Sequence, residues 1–263
     1  MFADYHLHSY FSDDTDFPME LEIKKAIELG MDELCFTEHS DYDVPTVVNC
    51  DYDAYFKEME KMKIKYKDQI TLKTGIEFGI QVHTAKAYEE TFRQYPFDFV
   101  IFSCHQVENK EYCRQQPQQG KTQLEYNRRY YQEILDVVKI YKDYSVLGHL
   151  DVIKRYDLNG EIEFDKIKDL IEQIFEVVIA DGKGIELNTS SFAYKLKSLM
   201  PSREILQLYH DMGGKIITIG TDAHNADRVG DRVIESQKIL KEIGFDGIYT
   251  FDKMKPQFHE FRF

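Results

Sequence analysis

The stretch Asp4-Tyr5-His6-Leu7-His8-Ser9 decides how the rest of the sequence is read. It ends a short apolar run, Phe2 to His8, that reads as a strand. On an extended strand, residues i and i+2 point to one face, so the imidazoles of His6 and His8 stand side by side. Neutral imidazole is the commonest protein metal ligand, and two of them at a strand end can grip one ion. The same pair on an unrelated surface strand would carry no chemistry. The weight therefore falls on what the other strands supply.

Downstream, strands and helices alternate. A loop with Ser12, Asp13 and Asp14 leads to a helix over Pro18 to Leu29, with an apolar face and a stop at Gly30. Strands are expected at Glu33 to Thr37, Ile70 to Phe78, Phe97 to Cys104, Ser145 to Leu147, Gly184 to Leu187 and Lys215 to Ile219. Helices are expected at Asp51 to Tyr66, Ala85 to Gln94, Thr122 to Lys142, Phe164 to Asp181, from near Pro201, and at Arg232 to Ile243. Gly247 to Phe251 reads as a final short strand, and the tail after it is uninformative. Gln106 to Gly120 is a long polar loop, a lid or a plain surface excursion. The alternation argues for parallel strands with crossover helices, closed or nearly closed as a barrel. No linker, low-complexity tract or second domain is evident, so residues 1–263 read as one domain.

In such barrels function sits at the carboxyl ends of the strands. His6 and His8 stand at the first, His39 at the second, Glu77 at the third, His105 at the fourth and His149 at the fifth. Asp222 and His224 follow the seventh, again two residues apart. All are nitrogen or oxygen donors, which favours Zn, Mn or Fe over a cysteine-bound structural zinc. There are too many donors for one ion. Two or three divalent ions sharing a carboxylate use the set most simply, with Glu77 as the natural bridge.

Composition narrows the partners. The net charge of −14 disfavours a phosphate-rich polymer, so nucleic acid is a poor partner. Bound divalent cations would reverse the sign locally and admit a small phosphorylated substrate. The four cysteines, at 35, 50, 104 and 113, form no C-x-x-C and suit a reduced, cytoplasmic setting. Cys104 reads as a buried strand thiol. No signal peptide is evident, and no apolar run approaches the roughly 20 residues needed to span a bilayer, so no membrane partner is expected. Oligomeric state is not legible.

With these pieces in view the chain resembles the polymerase and histidinol phosphatase (PHP) superfamily, and within it the monofunctional histidinol-phosphate phosphatases. The matching motifs are DYHLHS at 4–9, TEHSD at 37–41, GIEFG at 75–79, SCHQV at 103–107, GHLD at 148–151 and GTDAH at 220–224, in family order. The resemblance implies an α/β fold, a distorted (β/α)7 TIM-like barrel, with three metals. One metal would be held by His6, His8, Glu77 and Asp222, and a second by Glu77, His105 and His149. The third would use His39, His224 and a residue of the loop after strand one. Many relatives have a histidine in that loop. This chain has none there, so Asp14 is assigned, with Asp13 as competitor.

The chemistry follows from the donors. Metal ions neutralise phosphoryl oxygens and lower the pKa of a bound water toward about 7. Attack by a bridging hydroxide without a phosphoenzyme is expected, with Glu77, His105 and Asp222 carrying catalysis. No P-loop is present. Arg155 and Arg228 are candidates for gripping phosphate, His83 for supporting a ligand from behind or contacting the substrate, and Asp43 for meeting an ammonium group. The expected activity is hydrolysis of L-histidinol phosphate. The alternatives are a phosphodiesterase or nuclease on the same site, which the missing basic stripe counts against, and a metal-binding module without turnover.

Overall fold

The structure, a computed structural model, describes residues 1–261. In chain order its elements are β1 (Ala3–Asp4), α1 (Met19–Glu28), β2 (Glu33–Ser40), α2 (Tyr52–Tyr66), β3 (Thr71–Gly79), α3 (Ala85–Gln94), β4 (Phe99–Ser103) and the small hairpin β5 (Gln106–Val107) and β6 (Lys110–Glu111). There follow α4 (Gln123–Ile140), β7 (Val146–Leu147), α5 (Lys168–Ala180), β8 (Gly184–Asn188), the single turn α6 (Ser190–Ala193), α7 (Arg203–Asp211), β9 (Ile217–Gly220), α8 (Val233–Ile243), β10 (Gly247–Asp252) and β11 (Lys255–Glu260). Local sequence sets the helix starts. Asp51 accepts the Ala54 amide at the head of α2, Thr122 and Glu125 form a capping box on α4, and Ser202 caps α7.

Seven strands make one parallel sheet in the order β1-β2-β3-β4-β7-β8-β9. The chain between β1 and residue 8 closes it. The Tyr5 amide donates to Ile219 O at 3.0 Å and the His8 amide to Ala223 O at 2.8 Å, while Leu7 O accepts from Thr37 N at 2.8 Å. One segment thus joins β2 on one side to the end of β9 on the other, which yields the distorted barrel. The expected strand over Phe2 to His8 is therefore ladder-paired only at Ala3–Asp4, because beyond that its hydrogen bonds are shared between two neighbours.

Other boundaries shift for local reasons. β2 runs through His39 to Ser40, since its register with β3 continues to Ser40 opposite Phe78. The helix expected over Phe164 to Asp181 begins as a 3-10 turn, Phe164–Lys166, and becomes α-helical at Lys168. The loop from Gln106 to Gly120 folds into the β5–β6 hairpin and a 3-10 turn, Tyr112–Arg114.

Alternation along the strands separates two environments. Ile76 and Phe78 of β3 join the large core shared with the helices, and Glu77 between them faces the other way. Within the barrel a lower layer is apolar, with Tyr5, Cys35, Phe99, Ile101 and Val146 in one cluster with Phe251. Phe251 belongs to the antiparallel β10–β11 hairpin, not to the barrel sheet. The hairpin closes the amino-terminal mouth: the Phe251 amide donates to Tyr5 Oη at 2.8 Å, Lys73 Nζ meets Asp252 at 2.7 Å, and the Met254 amide donates to Asp98 O at 2.9 Å. The tail that looked uninformative in sequence is thus a plug; Arg262 and Phe263 lie outside the described residues.

One buried group stands apart from this packing. Glu22, on the inner face of α1, is fully buried, and neither carboxyl oxygen has a hydrogen-bond partner among the described residues. Burial, reinforced by the carboxylates of Glu38 and Asp4, pushes its pKa up to about 10, so it is neutral at pH 7. The folded chain then keeps a proton that the unfolded chain releases above about pH 4.5, so this group lowers stability as pH rises toward about 10, by at most about 1.4 kcal/mol per pH unit. Urea titrations at about pH 6 and about pH 9 should show wild type losing more stability than Glu22→Leu over that interval. Parallel losses would mean that Glu22 is already ionised.

Candidate metal centre

The donors expected from sequence converge at the carboxyl-terminal mouth. His6 and His8 come from the closing segment, His39 from the end of β2, Glu77 from β3, His105 from just after β4, His149 from just after β7, and Asp222 and His224 from the turn after β9. Glu77 is at the centre. Its Oε2 lies 3.0 Å from His39 Nδ1, 3.3 Å from His6 Nε2 and 3.5 Å from His8 Nε2. Its Oε1 lies 2.9 Å from His149 Nε2 and 3.3 Å from His105 Nε2. Asp222 Oδ1 stands 3.4 Å from His8 Nε2 and 3.8 Å from His6 Nε2. Asp222 holds a left-handed backbone, φ 54°, uncommon for a residue other than glycine, and its amide donates to His6 O. His224 Nε2 meets Asp14 Oδ2 at 2.7 Å, and His39 Nε2 approaches the same oxygen at 3.4 Å. Asp13 is engaged elsewhere, accepting the Val48 amide at 3.0 Å.

The donor set fits divalent cations. His6 Nε2, His8 Nε2, His39 Nδ1 and Glu77 Oε2 are buried, and none has a hydrogen-bond partner among the described residues. Four buried, converging polar atoms without partners are costly unless a cation takes their lone pairs. Four donor triplets each have ligating atoms within 4.8 Å of one another: His6/His8/Glu77, His6/His149/Asp222, His39/Glu77/His105 and His8/His39/His224.

The electrostatics of the metal-free cluster point the same way. Burial alone would lower His6, His39 and His105, but neighbouring carboxylates outweigh it. Glu186, Glu77 and Asp222 hold His6 well above the ordinary histidine range, Glu77 and Asp14 do so for His39, and Asp41 and Glu77 lift His105 to about 10. Asp14 likewise raises His224 against burial. His8 goes the other way, to about 3, because burial and the neighbouring imidazoles His39 and His224 disfavour its charge. Burial would raise Glu77 and Asp222, yet the surrounding histidines hold both carboxyls well below the usual range.

A cavity of about 310 Å³ opens above the cluster, lined by His39, His105, His149, Asp222 and His224 at its floor. Arg155 reaches it from the loop after β7. Its Nη2 donates to Ser190 Oγ at 2.6 Å and lies 3.4 Å from Asp222 Oδ2, its guanidinium sits 3.8 Å from the Tyr194 ring centre, and its buried Nε is unpartnered among the described residues. The structure does not bring the other expected substrate residues to the lining. Arg228 turns to Asp231 at 2.6 Å and to the Thr221 carbonyl. His83 and Asp43 pair with each other at 3.2 Å on the surface, and neither lines the cavity.

Several residues of the site were not singled out by sequence reasoning. Ser103 Oγ donates to Glu77 Oε1 at 2.5 Å, and the Ser12 hydroxyl lies 3.1 Å from His8 Nδ1. Asp41 and Glu186 accept from His105 and His6. Tyr156 and Tyr194 line the cavity beside Arg155. Ser103 and Asp41 lie inside motifs already quoted, so proximity to a ligand was the available signal. Glu186, on a strand that carries no donor to the cluster, offered none.

Comparison with known proteins gives this geometry a lineage. Residues 4–190 match the PHP domain. The chain is 32% identical to the histidinol-phosphatase of Lactococcus lactis subsp. lactis over 96% of this chain and 95% of that one. It is 28% identical to a probable histidinol-phosphatase of Clostridium acetobutylicum over 96% of this chain and 98% of the relative. The crystal structure of Lactococcus lactis histidinol phosphate phosphatase, complexed with zinc, L-histidinol and phosphate, superposes with a TM-score of 0.89 at 31% identity, covering 97% of this chain and 98% of that one. A domain match over most of the sequence, and a relative of this identity along nearly all of it, make the kinship plain: the chain belongs to the PHP domain family.

Proposed function

We propose that this chain is a metal-dependent phosphomonoesterase that hydrolyses L-histidinol phosphate to L-histidinol and phosphate, a step of histidine biosynthesis. One observation carries the reading: five imidazoles converge on the buried Glu77 carboxylate beneath a cavity that Arg155 overlooks. The relative whose structure contains L-histidinol and phosphate supports the choice of substrate.

In this reading His6, His8, Glu77 and Asp222 hold one divalent ion and Glu77, His105 and His149 a second. His39, His224 and Asp14 hold a third. Zinc is the first candidate, since the Lactococcus lactis enzyme carries it. Bound ions supply neutralisation of the phosphoryl oxygens and acidification of water. The chain's residues do the rest. Arg155 presents paired N–H donors to the phosphate, held in place by Ser190 and the face of Tyr194. Tyr112, Tyr130 and Tyr156 form part of the cavity wall beside it. Free thiols at Cys35, Cys50, Cys104 and Cys113 suit a reducing compartment, and we assign the cytoplasm. No helix among the described residues is long and apolar enough to cross a membrane.

Metal-replete protein should release phosphate from L-histidinol phosphate and leave bis-p-nitrophenyl phosphate nearly untouched; turnover of the diester alone would move the site to the phosphodiesterases, and turnover of neither to the binding modules. Arg155→Ala should lower kcat/KM for histidinol phosphate about 10–150-fold, the loss of a charge-assisted hydrogen bond of about 1.5–3 kcal/mol. Arg155→Lys should recover little of it, because the fork and the stacking surface are gone. Metal loading should release protons, since carboxylate neighbours hold His6, His39 and His105 above the ordinary histidine range and each must shed a proton to bind. Zinc added to chelator-stripped protein in weakly buffered indicator should acidify the solution. Apparent affinity should rise with pH.

A further inference from the structure

Asp41 and Glu186 belong to none of the converging donor sets among the described residues. Each is buried, and each instead accepts a hydrogen bond from the Nδ1 of a histidine whose Nε2 faces Glu77. Glu186 Oε1 accepts from His6 Nδ1 at 2.6 Å, while its Oε2 accepts the His149 amide at 2.8 Å and Asn188 Nδ2 at 3.2 Å. Asp41 Oδ1 accepts from His105 Nδ1 at 2.9 Å and from Gln106 Nε2 at 2.8 Å. With Nδ1 committed as donor, Nε2 is the lone-pair atom of each ring. The two Nε2 atoms then fall on opposite oxygens of one carboxylate, His6 at 3.3 Å from Glu77 Oε2 and His105 at 3.3 Å from Glu77 Oε1. Elsewhere in the cluster the Nδ1 of His8 meets a serine hydroxyl, that of His224 a backbone carbonyl, and that of His149 no partner among the described residues.

Both carboxylates reach their histidines past a glycine. A Cβ on Gly79 would overlap the Asp41 carboxylate and stand 3.1 Å from His105 Nδ1. A Cβ on Gly220 would overlap Glu186 Oε1 and the His6 Cβ. Neither glycine has a left-handed backbone, so space rather than dihedral freedom excludes a side chain there.

We infer that Asp41 and Glu186 are positioning residues of the metal centre, fixing His105 and His6 as Nε2 donors on either side of Glu77, and that Gly79 and Gly220 are the openings through which they reach. The inference rests on the metal reading above and goes one layer beyond its ligands. Zinc affinity measured by chelator competition tests it, on chains that far-UV circular dichroism shows to be folded in EDTA. Asp41→Asn and Glu186→Gln keep the shape and remove the charge, and each should weaken the tightest zinc sites about 10–100-fold. Gly79→Ala should weaken them comparably in the wild-type background. In an Asp41→Ala background it should add less than about twofold, because the carboxylate it displaces is gone. Unchanged zinc affinity in both charge-removing variants, or an equal Gly79→Ala penalty in both backgrounds, overturns the inference while leaving the metal reading intact. A wild-type chain that takes up no zinc overturns both.

Discussion

A carboxylate with no access to water stands among five imidazoles, and the upper half of the barrel is arranged around its charge. Glu77 is fully buried, and His6, His39, His105 and His149 all come within 3.3 Å of one of its oxygens. An isolated ionised carboxylate would be expensive in such a place. The raised pKa values of His6, His39 and His105 let protons on those rings compensate it, and divalent cations would also satisfy the unpartnered nitrogens. The local charge requirement is therefore opposite in sign to the chain's net charge of −14. Divalent cations gathered there would dominate the field at short range and let an acidic protein admit a phosphorylated molecule.

The barrel serves this requirement by dividing its interior. The lower layer is apolar, sealed beneath by the β10–β11 hairpin through Tyr5, Lys73 and Asp98. The polar layer can then open in one direction only. Small residues make room in it: Gly79 and Gly220 let acidic side chains cross between strands. Gly148 lies against Ile101 and Ser103, where a Cβ would also clash. The same glycines that thin the barrel wall let second-layer groups stand close behind the ligands.

Much of this was legible in the sequence, and the reason is geometric. Parallel strands deliver whatever follows them to one rim, so His39, Glu77, His105, His149 and Asp222 could be gathered from strand order alone. What escaped was whatever depends on where a loop turns. Arg155 and Arg228 each follow a ligand-bearing strand, yet only Arg155 faces the cavity; Arg228 is held by Asp231 in its own turn. His83 and Asp43 were placed near ligands by sequence distance and satisfy each other instead. Glu186 was invisible because its strand contributes nothing else to the cluster. The plug was missed because β10 and β11 pair with each other, and their role lies in the fit of the hairpin against the barrel floor rather than in any local pattern.

The segment from Tyr5 to His8 is both a barrel stave and a ligand arm, and its seam partners, Ile219 and Ala223, come more than 200 residues later in the chain. During synthesis the first two histidines leave the ribosome long before anything exists for them to dock against. The centre cannot be finished piecemeal; it comes together only when the last stave arrives, so a nascent or truncated chain has an open cylinder and a half-built cage at once. Long-range contacts of this kind are slow to form. An ion held by His6 and Asp222 would also tie the two ends of the cylinder together.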